Sequence, residues 1–374
     1  MKIAYITDQL YLHGGAERVL TNKVNYLANL EDMTIFIITN EQKKNKFCYD
    51  IDSKVKHLDI NLIYKRDRSY FSILNIVKAP IHFYKLKSLL NKIKPDVIIT
   101  LSSQYDYYFL PFIVNKTLII KEFHSSRHYY QQDRANCSKL KGFVYKLNDF
   151  VERKYTYNVL LTDDEKKYFK SNNTIVIPNF LIDIPKSFSS LTNKKAISAG
   201  RIAPVKGFEN LIIAWKIVFE KNKEWIIEVY GNGEKKYVEK LNNLIISLGL
   251  DNNFFIKEAT HQIEQKMQEA SFYVMSSLTE CFPMVLLESM SNGLPIISFN
   301  CPNGPKNIVS HNNDGLLIED GNVEKLALAI LNMIENEEMR KNFSKNGTLN
   351  VKRYNKQTIM KKWLHLFGYK NLIL

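Results

Sequence analysis

Apolar residues in this chain recur in two rhythms that keep exchanging. Runs such as IAYIT, TIFIIT, VIITL and LIIKE are almost continuously apolar and rich in β-branched residues, as strands buried on both faces are. Between them, ERVLTNKVNYLANL spaces its apolar residues three and four apart, the pattern of a helix covered on one face. Such alternation predicts parallel sheets with crossover helices. After IPNFLIDIPKSFSSLTNKK, a Pro, Ser and Asn stretch that reads as a linker, it restarts with AISAGR, WIIEVYG, NFFIKEA, SFYVMSS and LPIISF. The expected class is α/β with two doubly wound domains, residues 1–183 and 184–354, joined near Ile184, and a helical tail at 355–374 packing back towards the first. A length of 374 residues suits two domains, each with its own core.

Ligands of doubly wound sheets sit beyond the carboxyl ends of the strands, so the loops there carry the candidate chemistry. In DQLYLHGGAER, Gly14 and Gly15 lie between the first strand and the first helix, where backbone amides can approach a phosphate or sugar closely. In SAGRIAPVKGFENL, Arg201 and Lys206 lie between Gly200 and Gly207, and a guanidinium fork with an ammonium point charge suits a diphosphate. EVYGNGEKKY offers Gly231 and Gly233 but has Lys236 where a dinucleotide fingerprint needs its third glycine, which argues against a nicotinamide cofactor.

The fourth loop is the most informative. TECFPMVLLE brackets an apolar run with Glu280 and Glu288 and sets Pro283 at the expected first position of a helix. The amides of Met284 and Val285 are then donors without helical partners, ready for a phosphate, with a carboxylate on either side to take hydroxyl groups. Ribose hydroxyls, diphosphate and sugar hydroxyls follow one another in that way in a sugar nucleotide.

These motifs, ECFPMVLLE, GRIAPVKG, GGAERV and YGNG, with NGPKNIV and DGLLI further on, make the chain resemble the family 4 retaining glycosyltransferases (glycosyl transferases group 1). These have the GT-B fold, two Rossmann-like domains facing across a cleft. The resemblance is dense from Ala196 to about Lys345 and thinner before, where the Gly14 loop, the strand order and His124 in KEFHSS carry it. It implies that Arg201 and Lys206 hold the donor diphosphate, that Glu288 binds the ribose, and that Glu280 and His124 contact the transferred sugar. Gly14 and Gly15 would line the cleft by the phosphate, and Gly231, Phe282, Met284 and Val285 complete the substrate-binding set. Two positions depart from the family: Cys281 stands where a glycine is common, and so does the loop Glu258 to Thr260.

The expected reaction moves a sugar from a UDP-linked donor to a glycan or lipid-linked glycan acceptor with retention, in cell-surface polysaccharide synthesis, without cofactor or metal. YDID, Asp50 to Asp52, imitates a metal-binding DxD but lacks the rest of such a site. Two alternatives stand beside this: a nucleotide-sugar epimerase of the same fold, and a basic nucleic-acid-binding protein that would leave the Glu pair unexplained.

Charge and cysteine add a location. The net charge is +14, and residues 1–190 hold 29 Lys/Arg against 19 Asp/Glu. Between Lys43 and Lys94, 13 basic residues face four acids among Tyr and Phe, a mixture suited to an anionic membrane surface. Cys48, Cys137, Cys281 and Cys301 have no metal or disulfide spacing. MKIAYITDQL opens as a strand rather than a leader, and no run is long enough to span a bilayer. A cytoplasmic protein, peripheral on the inner face of the cell membrane, is expected.

Overall fold

The apolar runs become parallel strands in the computed structural model, which describes residues 1–182, 185 and 187–369, and the side chains of all of these except Tyr129 and Gln132. The contacts within the chain divide it into two compact units. The first comprises Met1–Pro178 and the chain from Ile359 onward, the second Asn179–Thr358. The expected joint at Ile184 lies outside the described residues.

The first unit is built on β1 (Lys2–Thr7), β2 (Thr34–Thr39), β3 (Lys56–Asp59), β4 (Val97–Thr100), β5 (Leu118–Glu122), β6 (Tyr157–Leu160) and β7 (Thr174–Val176). They form one parallel sheet in the order β3-β2-β1-β4-β5-β6-β7. The strand runs named above are its centre, and β4 is buried at every position. Strands β3, KHLD, and β7, TIV, are the two edges of the sheet and have little burial, so neither shows the apolar rhythm. The helix Gly15–Ala28 buries Val19, Leu20, Val24 and Leu27, the spacing its sequence announces.

The second unit has its own sheet, β8 (Lys195–Ala199), β9 (Ile226–Tyr230), β10 (Phe254–Lys257), β11 (Phe272–Met275), β12 (Ile296–Phe299) and β13 (Gly315–Ile318). The order is β10-β9-β8-β11-β12-β13, again all parallel. A separate core gathers around the fully buried Trp215, with Leu211, Ile227, Phe272 and Phe299. The stretch read as a linker is in part strapped down. Phe180 and Leu191 are buried, and the Ser189 amide donates to the Asn292 carbonyl at 3.0 Å.

The chain enters and leaves the second unit side by side, because the Leu181 amide donates to the Tyr354 carbonyl at 3.0 Å. The helix Lys356–Leu366 then carries it into the first unit, where Trp363 lies 3.8 Å under the Lys23 ammonium. Among the described residues no helix is long and apolar enough to cross a membrane.

Candidate functional site

In each sheet the strand order reverses once, between β1 and β4 in the first unit and between β8 and β11 in the second. Loops leaving the strands at such a reversal part from each other and open a crevice. In the second unit these two loops hold Arg201, Lys206 and Glu280.

They are sewn together by the backbone. The Leu278 amide donates to the Val205 carbonyl at 2.9 Å, and the Ser276 hydroxyl donates to the Lys206 carbonyl at 3.1 Å. The loop after β8 ends in a 3-10 turn, Pro204–Lys206, and then Gly207 at φ 62°, from which the helix Phe208–Lys221 starts. A Cβ at Gly207 would stand 2.2 Å from the Ser276 carbonyl oxygen. Only glycine therefore allows both the left-handed turn and the loop contact. Gly207→Val is expected to lower the stability of the second unit by about 1–3 kcal/mol, read from its denaturant midpoint. An unchanged midpoint would mean that the two loops move independently.

Across the seam Lys206 Nζ donates to Glu280 Oε1 at 2.6 Å, with the lysine side chain 24% exposed and the glutamate 12%. The sequence gives these residues separate roles; the structure pairs them. Beneath them Tyr273, fully buried on β11, donates its hydroxyl to the Ala199 carbonyl at 2.9 Å and accepts from the Ala199 amide at 3.1 Å. Burial raises the phenol's pKa, the bonds to β8 oppose this, and the carboxylates of Glu280 and Glu288 raise it further. Both glutamates thus act on one hydroxyl at one end of the sheet. Tyr273 was not visible as a site residue in the sequence, because its role lies in the neighbour it clamps.

Pro283 is not the first helical residue. At φ −70° and ψ 99° it caps the helix Met284–Ser291, and its carbonyl accepts from the Leu286 amide at 3.0 Å. Met284 and Val285 are the first two helical residues, whose amides have no partner within the helix by construction. Glu288 follows on the same helix, half-buried. Phe282 corrects an expectation. It is buried, with its ring edge-on to Tyr354 at 5.4 Å, so its side chain belongs to the core. Gly231 has a packing reason of its own, since a Cβ there would lie 1.8 Å from the Gly200 carbonyl oxygen. Gly304, in NGPKNIV, lies where a Cβ would meet the Glu280 Cβ at 2.6 Å, and so lets the Glu280 loop settle. Arg201 is exposed and makes no ion pair among the described residues.

Gly14, Gly15 and His124 stand in the first unit. Gly14 is the extended N-cap of the helix Gly15–Ala28. His124 follows β5 by two residues and meets Glu122 Oε2 through Nε2 at 3.1 Å. A carboxylate only accepts, so Nε2 carries the proton and Nδ1 is left facing away from that bond. Glu122 also accepts two bonds from the Lys23 ammonium, at 2.8 and 2.7 Å, and Lys23 and Glu122 are both buried, while His124 is partly exposed. Burial alone would raise the Glu122 carboxyl, but Lys23 and then His124 outweigh it and push it down to about 2.

At the reversal of this sheet the sequence pointed only to Gly14 and Gly15 in the loop after β1, yet the structure has a second polar cluster. Ser102, after β4, donates to Asp8 Oδ1, after β1, at 2.6 Å. Asp106 accepts from Thr100 at 2.7 Å and from Asn40 at 3.1 Å, and Lys121 Nζ donates to the Ser102 carbonyl at 2.6 Å. Burial pushes the Asp8 carboxyl up to about 6, tempered by Ser102, and pulls Lys121 down to about 8. Reading the residues just past β1 and β4 at the reversal would have found this cluster. The DxD-like Asp50 to Asp52 is a turn device: Asp52 accepts from the Lys54 amide and from Asn29, both of which draw its carboxyl below the usual range.

Comparison with known proteins agrees with this architecture. Residues 180–350 match the family model for glycosyl transferases group 1. Over 370 residues the chain is 28% identical to an uncharacterized glycosyltransferase of Haemophilus influenzae, covering 97% of this chain and 98% of that one. It is 24% identical to the amylovoran biosynthesis glycosyltransferase AmsD of Erwinia amylovora, with 97% and 98% covered. Among solved structures, HepE of Anabaena in complex with UDP and glucose superposes with a TM-score of 0.78 at 18% identity, over 99% of this chain and 100% of that one. Residues 180–350 therefore form a domain of the glycosyl transferases group 1 family, in a chain with the GT-B fold.

Proposed function

We propose that this protein is a retaining glycosyltransferase that moves a sugar from a UDP-linked donor to a glycan of a cell-surface polysaccharide. The relative named for amylovoran biosynthesis and the solved neighbour holding UDP and glucose support the reading. The observation that carries it is the Lys206–Glu280 pair at the strand reversal of the group 1 domain, beside the start of the helix Met284–Ser291. Before donor binds, Glu280 holds Lys206 in place. An incoming diphosphate takes over the lysine, joined by Arg201 and the Met284 and Val285 amides, and frees Glu280 to accept from hydroxyls of the transferred sugar. Glu288 accepts from the ribose.

As the glycosidic bond breaks, negative charge grows on the departing diphosphate, where these cations and amides are already oriented. The acceptor hydroxyl attacks on the face the leaving group vacates, which retains the configuration, and gives its proton to the departing diphosphate oxygen. The basic Lys43–Lys94 segment brings the protein to an anionic membrane surface.

Thermal unfolding with a panel of sugar nucleotides tests the donor, since a ligand of the folded state raises the midpoint. UDP-sugars are expected to shift it and free sugars are not. With donor and an acceptor glycan, transfer is expected to survive excess EDTA. An epimerase would instead interconvert the donor with no acceptor present, and an absolute need for added divalent metal would remove the mechanism.

A further inference from the structure

One segment of the first unit is folded with its polar side inward. In the helix Ile73–Ile76 the buried residue is Asn75, fully enclosed, whose amide accepts from the Lys65 amide at 2.9 Å and donates to the carbonyls of Lys65 and Ser69 at 3.0 and 3.1 Å. Its apolar neighbours face outward: Ile73 is 80% exposed and Val77 63%, with Leu74 and Ile76 beside them. A helix end that hides its asparagine and shows its isoleucines to water is arranged for something apolar.

About 65 residues further on, the start of the helix Lys139–Glu152 does the same, with Leu140 77% and Phe143 64% exposed. The two segments flank one cavity of about 750 Å³, whose walls include Phe71, Ile76, Tyr108, Leu140 and Phe143. Phe71 stands edge-on to Tyr108 at 5.5 Å, which gives the cavity an aromatic side. Apolar groups scattered singly over a surface need no explanation, but two separate segments turned out on either side of one apolar cavity do.

Charge narrows the occupant. Arg68 lines the cavity, and Lys139 stands in the chain between its wall residues Ser138 and Leu140; both are exposed and make no ion pair among the described residues. Lys141 is occupied by Asp133, and Asp67 is the one acid between Lys65 and Arg68. The excess is positive around an apolar hole. The cavity also touches the strand reversal. Tyr70, in its wall, accepts from Gln104 Nε2 at 3.2 Å; the Gln104 amide donates to Ser102 Oγ at 3.0 Å, and Ser102 holds Asp8. The cavity wall is thus tied by hydrogen bonds to the polar cluster at the ends of β1 and β4.

We infer that this cavity binds the apolar tail of a lipid carrying an anionic phosphate head, and that such a lipid is the anchor of the acceptor. As a lipid site the inference stands on the cavity and its cations; as an acceptor seat it rests on the transferase reading above. It goes beyond attraction of the basic face to a bilayer, because it requires one chain in one cavity and hence saturable binding.

The test uses the full-length protein and a fluorescent C16 alkyl monophosphate below its micelle concentration, followed by anisotropy, with the corresponding C16 alcohol and glycerol phosphate as competitors. Saturable binding is expected, displaced by the unlabelled alkyl phosphate, weakly by the alcohol and not by glycerol phosphate. Ile76→Asp and Phe143→Asp, both surface changes, should each weaken it at least tenfold while UDP still raises the thermal midpoint. Arg68→Glu with Lys139→Glu should weaken the phosphate and leave the alcohol unchanged. Non-saturable uptake, or full affinity in both aspartate variants, would overturn the lipid site. Conversion by Phe143→Asp of a dimer to a monomer, with no lipid bound by either, would overturn it in favour of self-association. Failure of UDP to bind would sink the transferase reading alone, since the lipid measurement needs no turnover.

Discussion

Lys206→Ala should leave a folded protein whose transfer rate has fallen by two to three orders of magnitude. The loop does not depend on the lysine side chain, because the bonds that fix it come from backbone: Leu278 to the Val205 carbonyl, and Ser276 to the carbonyl of residue 206 itself. Losing a partly exposed ion pair costs about 1 kcal/mol of stability at most. On the proposed reading, what is lost instead is a preoriented cation at the diphosphate, worth roughly 3–4 kcal/mol in comparable sites, or about a hundredfold to a thousandfold in kcat. Lys206→Arg should recover part of the rate. Glu280→Gln separates the partners, because it frees the lysine yet removes the carboxylate, and should lower kcat while donor binding is kept. Steady-state kinetics with a far-ultraviolet check of folding decides this. Wild-type turnover in Lys206→Ala would remove the lysine from the diphosphate.

The second large effect belongs to the other unit and to stability. Glu122→Leu strips the one carboxylate that, among the described residues, is bonded to the Lys23 ammonium, which is 3% exposed as a side chain and lies over Trp363. An unpaired buried charge of this kind costs about 3–5 kcal/mol, so the first unit's transition should fall well below that of the second. Adding Lys23→Met should restore much of it, because the charge that needed a partner is gone. The pH dependence has a definite sign. Glu122 is held down at about 2, below its ordinary value of 4.5, so ionised Glu122 supports the fold above pH 4.5 and this support is lost as pH falls from 4.5 towards 2. Asp8, raised from 3.8 to about 6, acts oppositely: its ionisation weighs on the folded state above pH 6, and that burden lifts as pH falls towards 4. The Glu122→Leu protein should therefore lose the steep acid limb of its stability curve. A limb identical to that of the unchanged protein would show that the pair does not set it.

Much of this was legible before any coordinates. The centre strands of both sheets announce themselves because a strand covered on both faces must be apolar throughout, as VIIT of β4 and FYVM of β11 are. The edge strands do not, since KHLD of β3 pairs on one side only and buries little. Arg201, Lys206 and Glu280 stood out because charged residues near glycine and proline at strand ends have few structural uses, and Glu288 because it brackets an apolar run together with Glu280. Phe282 was misread because an aromatic residue between two site residues looks the same in sequence whether it faces a ligand or Tyr354.

The sequence by itself determined the two-fold strand-helix alternation, the loops that carry the chemistry and the residue types in them, because these follow from local periodicity and turn chemistry. Only the tertiary structure decided that Lys206 and Glu280 are bonded, that Tyr273 clamps β8 beneath them, that Asp8 and Ser102 meet, and that Asn75 is buried while Ile73 is exposed. Each of these joins residues across a strand reversal or inverts a local preference. Partners 74 and 94 positions apart are brought together by the order in which strands pair, and that order is set by the packing of the whole sheet rather than by any stretch of the chain.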